Sequence, residues 1–161
     1  MILSRNFFLA SATIMLTSGK LKMSKISIYT DGGARGNPGP AALGVFIEDE
    51  THQELARIGK TLGETTNNIA EYSAILEGFT WALANKQKLG IEKISFYMDS
   101  QLACSQLTGL FKVKNPRIRE FVFEIRKIEA ALKIPIFYTH IPREENTKAD
   151  FMVNQALDNG L

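Results

Sequence analysis

A single cysteine, Cys104, leaves no disulfide possible within the chain and points to a reducing cytoplasm. A membrane helix is lacking too. The opening MILSRNFFLASATIMLTSGKLK is too short to span a bilayer and is broken by Ser, Thr and Asn. It has the order of a signal peptide, with Arg5, apolar Phe7 to Leu9 and small Ala10 to Ala12, but a poor apolar core. Met23, followed at once by Ser24 and a strand-like run, is the simpler start. Residues 1–22 are therefore read as a leader and 23–161 as one working domain, since 45% hydrophobic and 22% charged residues make an ordinary globular composition. The net charge is only +2, yet it is unevenly spread. Residues 111–133 carry seven bases against Glu120, Glu124 and Glu129, so a basic stripe stands apart from an acidic remainder. Such a chain has the charge to hold cations in one place and a polyanion in another, although solvated charged faces are the commoner explanation.

KISIYTD at 25–31 nearly returns as KISFYMD at 93–99. Strand alternation puts Ser27, Tyr29 and Asp31 on one face, and Ser95, Tyr97 and Asp99 on the matching face of the second run. Paired side by side, the two strands would end on adjacent carboxylates. Like charges held close raise the free energy unless one is protonated or a cation lies between them. Asp also initiates turns, so either run alone is equally a strand followed by a turn.

GGARGNPGP after the first aspartate turns the chain sharply into the apolar run AALGVFIED. It is not a phosphate loop, because neither a Lys-Ser/Thr pair nor a helix follows. A third strand over 53–62 closes an antiparallel meander. Residues 67–87 read as a helix with Ile75, Phe79, Ala82 and Leu83 on its buried face and Asn67 or Asn68 as cap. Glu71 lies within about 40° of Ile75 on that same face, against a simpler role as a helix-start acid. SQLACSQLTGL reads as a short helix. Residues 117–133 form an amphipathic one with Ile118, Phe121, Val122, Ile125, Ile128 and Leu132 as its core stripe. A strand over 134–140 leads to a last helix from TKADFMVNQALDNG, where Asp150 shares a face with Val153 and Leu157. The order implies an α/β domain with a mixed sheet flanked by helices.

Four acids thus face apolar or like-charged surroundings: Asp31, Glu71, Asp99 and Asp150. Hard divalent cations want such oxygens, and a pair of ions can activate a water and stabilise the leaving oxygen of a phosphodiester.

TDGGARGNPGP, TTNNIAEYSAILEG, DSQL and HIPREENTKAD, in this order and spacing, resemble the blocks of type 1 ribonuclease H, a likeness covering about residues 24–158. The resemblance implies a ribonuclease H-like fold with a five-stranded mixed sheet, an antiparallel meander followed by parallel strands. It implies an endoribonuclease that cuts the RNA strand of RNA/DNA hybrids with two Mg²⁺ ions, or Mn²⁺, leaving 3′-hydroxyl and 5′-phosphate ends. Asp31 would touch both ions, Asp150 would join it at the ion activating water, and Glu71 and Asp99 would share the other. His140 matches a loop histidine that shuttles protons or aids product release. Gly33, Arg35, Asn37, Thr66, Asn67, Asn68, Gln101 and Asn146 match positions expected to contact the substrate, with Arg143 and Asn146 also shaping the loop before the last helix. A monomer is expected. Only GLFKVKNP stands where many bacterial members carry a basic protrusion, so Lys112, Lys114, Arg117 and Arg119 are the substitutes for phosphate contact. Two other readings stay open, a binding module on this fold that does not cut and a related nuclease with a different substrate.

Overall fold

The computed structural model describes residues 25–160; the leader read from residues 1–22 lies outside them. Five strands form one sheet in the order β3-β2-β1-β4-β5. They are β1 (Lys25–Ala34), β2 (Gly39–Asp49), β3 (Glu54–Thr65), β4 (Lys93–Met98) and β5 (Ile136–His140). The first three pair antiparallel as a meander, while β4 lies parallel to β1 and β5 parallel to β4. The helices are α1 (Asn67–Leu89), α2 (Gln101–Leu107), α3 (Pro116–Leu132) and α4 (Thr147–Asn159), the last preceded by a 3₁₀ turn over Arg143–Glu145.

Why these segments adopt these forms follows from local chemistry. The β-branched and aromatic alternation of KISIYT buries Ile26 and Ile28 on one side and leaves Ser27 and Tyr29 half-buried on the other. Helix α1 starts at a Thr66 cap whose hydroxyl accepts from Ile69 N at 3.3 Å, and stops at Gly90 in the left-handed conformation. Asn115 caps α3 in the same manner, with Pro116 in its first turn. The main core lies between the sheet and α1 with α3, where Phe79 meets Phe96 at a centroid distance of 4.3 Å. A smaller cluster of Ala42, Val153 and Ala156 lies under α4.

Four expectations are corrected. The first strand does not end on Asp31; β1 runs on to Ala34, paired with β2 throughout, and outruns its parallel neighbour β4, which stops at Met98. The α1 cap is Thr66 rather than Asn67 or Asn68, because the Asn67 side chain is drawn to the first hairpin, accepting from Ala34 N at 2.8 Å. Leu83 is 43% exposed, since the buried stripe of α1 narrows beyond Phe79. β5 begins at Ile136, because Pro135 has no N–H to enter the ladder.

Candidate functional site

The parallel register pairs Tyr29 with Tyr97 and Thr30 with Met98, so Asp31 and Asp99 follow side by side where β4 leaves the sheet. Glu71 comes from the second turn of α1. Its approach needs Gly32: a Cβ there would lie 2.2 Å from Glu71 N and 2.1 Å from Ala70 C. Asp150 comes from the first turn of α4, and Gly44, the β2 partner of Asp31, makes room for it. A Cβ at Gly44 would sit 2.2 Å from Ala149 O. Two glycines on neighbouring strands thus let two helices come close, α1 over β1 and α4 over β2.

Carboxylate oxygens of Asp31, Glu71 and Asp99 lie within 4.8 Å of one another. Burial, then the Asp99 and Asp150 charges, pushes the Asp31 carboxyl up to about 7. Burial and then Asp31 and Asp99 hold Glu71 well above its usual range, and burial raises Asp99 as well. Glu71 Oε2 is shut off from solvent with no hydrogen-bond partner. An unpartnered buried carboxylate oxygen among like charges is costly in the bare protein. A hard cation relieves both penalties, so the donor set fits a divalent ion.

Asp150 lines the same cavity of about 510 Å³ but stands outside the close triad. Arg143 holds its Oδ1 at 3.1 Å and Asn154 its Oδ2 at 3.2 Å. Neither grip is among the sequence expectations. The i,i+4 spacing of Asp150 and Asn154 on a helix was the available signal.

His140, at the end of β5, is exposed and places Nε2 3.2 Å from Asp99 O, at the rim of the acids. Gly33 and Arg35 line the cavity from β1 and the first hairpin, and Arg35 is paired with Asp158 at 2.5 Å. Asn37 in the hairpin accepts from Asn67 N at 3.0 Å, so hairpin and α1 start are stitched together beside the cavity. Thr66 is occupied as the cap, Asn68 is half-buried in the first turn, and Gln101 is exposed at the start of α2. Asn146 differs from these. It is 1% exposed and donates to Thr30 O at 2.9 Å, inside the fold rather than on the groove.

A mixed sheet in this order, with acids gathered where β1 outruns β4, defines a ribonuclease H-like α/β protein. The family model described as reverse transcriptase-like matches residues 29–156. A ribonuclease HI of Halobacterium salinarum is 37% identical over 134 residues, 83% of this chain and 65% of the relative. A bifunctional protein of Mycobacterium tuberculosis is 36% identical over 135 residues, and there the chain spans only 36% of the relative's length. Among solved structures, LC11-RNase H1 in complex with an RNA/DNA hybrid superposes with a TM-score of 0.80 at 42% identity, covering 84% of this chain and 98% of that one. The chain belongs to the ribonuclease H type 1 family.

Proposed function

We propose that this chain is an endoribonuclease that hydrolyses the RNA strand of RNA/DNA hybrids, leaving 3′-hydroxyl and 5′-phosphate ends. The observation that carries the reading is the triad of Asp31, Glu71 and Asp99, with Glu71 Oε2 buried and unpartnered. The hybrid bound by LC11-RNase H1 supports the choice of substrate.

In this reading Asp31 would help to hold both of two magnesium or manganese ions, Glu71 and Asp99 would help to hold one, and Asp150 would serve the other. Bound there, the ions supply Lewis-acid activation of a water and neutralise charge on the departing oxygen. Asp150, already anchored by Arg143 and Asn154, is kept at the cavity wall rather than collapsing onto the triad. His140, at the rim, would shuttle protons or aid product release. The groove that would meet 2′-hydroxyls is polar: Gly33, Arg35, Asn37, Thr66, Asn67, Asn68 and Gln101. The Asn67 Oδ1 is used by Ala34 N, which leaves its Nδ2 to donate. A cytoplasmic monomer belongs to the same reading; among the described residues no helix is long and apolar enough to cross a membrane.

The test is a labelled hybrid incubated with Mg²⁺ or Mn²⁺ beside Asp31→Asn. Cleavage by the wild type and its loss in the variant are expected; hybrid binding without cleavage by the wild type would identify a binding module instead.

A further inference from the structure

Asn146 stands at the N-cap of α4, where an asparagine side chain ordinarily accepts from the helix's own first N–H groups. Here it makes no such bond. Its Nδ2 crosses to β1 and donates to Thr30 O at 2.9 Å, one residue before Asp31. Its backbone oxygen accepts from Asp150 N at 3.1 Å. One residue therefore ties the β1 backbone beside Asp31 to the first turn of α4 that carries Asp150.

We infer that Asn146 is a positioning residue that fixes α4, and with it Asp150, relative to the strands bearing Asp31 and Asp99. At 1% exposure it has no surface to offer a nucleic acid. Its Oδ1, buried and without a partner, marks the cost of this arrangement, as an amide free to cap α4 would have satisfied that oxygen. Groups that orient metal ligands in this way typically change metal affinity or activity by about 10–100-fold when removed. The inference rests on the acids taking a divalent cation, but not on the identity of the nucleic acid.

Asn146→Ser tests it, because serine caps a helix yet is too short to reach Thr30 O. Three quantities are read: Mn²⁺ binding to the protein alone by calorimetry, hybrid affinity in EDTA, and kcat against KM. Expected are Mn²⁺ binding weakened by about tenfold or more and kcat reduced by about 10–100-fold. Hybrid affinity and KM should stay within about twofold, well under the tenfold that marks a lost binding contact. Unchanged Mn²⁺ binding and kcat would overturn the proposal, as would a raised KM with kcat intact, which is the mark of a substrate contact. Should the variant be unfolded, the titrations are repeated in the cold with sucrose, which favours the compact state. A chain unfolded even there would assign Asn146 to stability alone. Wild-type protein that binds Mn²⁺ without cutting hybrid would sink the nuclease and leave this inference standing; wild type that binds no Mn²⁺ would sink both.

Discussion

Tyr29 stacks on Tyr97, ring centroids 4.9 Å apart with 19° between the planes, two residues before the acid on each strand. Directly opposed aromatic side chains are the unit that pins strand register, and a slip of one residue would turn Asp31 or Asp99 to the other face. The stack therefore fixes the pairing on which the site depends. Its coupling in a double-mutant cycle of Tyr29→Ala and Tyr97→Ala, measured by urea unfolding, should be about 0.5–1.5 kcal/mol. A coupling near zero would mean that the backbone ladder sets the register unaided.

Gly32→Ala tests the close approach of α1. The added methyl would meet Ala70 and Glu71 backbone atoms, at 2.1 and 2.2 Å, and backbone cannot swing aside as a side chain does. Helix α1 must back away, which should destabilise the protein by about 3 kcal/mol. It should also weaken Mn²⁺ binding by carrying Glu71 off. Gly33→Ala is the control, because its methyl would meet only the tip of Val153 at 3.3 Å. It should cost under about 1 kcal/mol.

Much of this was legible beforehand, and the reasons differ by residue. The repeat of KISIYTD and KISFYMD revealed two parallel strands because period-two alternation survives in sequence. Glu71 and Asp150 stand out because an acid on an apolar helix face breaks the expected pattern, and both line the cavity with Asp31. The end of β1 differs from the expectation because Gly32 and Gly33 look like turn residues, while the strand runs through both and Gly32 admits a helix backbone from one side. The helix cap was misplaced because Thr66, Asn67 and Asn68 are all good caps, and only the hairpin contact with Ala34 decides among them. Asn146 is expected to contact substrate and shape its loop only because the resemblance implies it. Nothing in a single sequence shows whether an N-cap amide turns to its own helix or to a strand 116 positions away.

The pairing of Arg35 with Asp158 makes a separate prediction. Their side chains are 51% and 61% exposed, so the ion pair contributes little to stability despite its 2.5 Å length. Asp158→Ala should change unfolding free energy by less than about 1 kcal/mol. Freed from its carboxylate, Arg35 should bind the hybrid more tightly, with a steeper dependence on salt. Equal affinity at all salt concentrations would remove Arg35 from the contact surface.

Without metal, the protein should lose stability as pH rises. The Asp31 carboxyl is pushed up from an ordinary 3.8 to about 7, because burial and then the Asp99 and Asp150 charges disfavour its ionised form. Glu71 is raised for the same kind of reason. The folded state then binds more protons than the unfolded chain between those two values, so the stabilisation is complete below the lower one and lost through the upper one. Because the acids are coupled, the loss belongs to the cluster rather than to either residue. The melting temperature in EDTA should therefore be higher at a pH of about 5 than at about 8, the reverse of a protein limited by ion-paired carboxylates. Asp31→Asn should flatten that slope and melt above the wild type at the higher pH, since an amide there carries no charge to repel Asp99. Mg²⁺ should restore the wild type at the higher pH and do far less for the variant. A wild-type profile in EDTA that rises over this interval, unaltered by Asp31→Asn, would show that the carboxylates do not strain the fold, and the electrostatic case for a cation between them would fall.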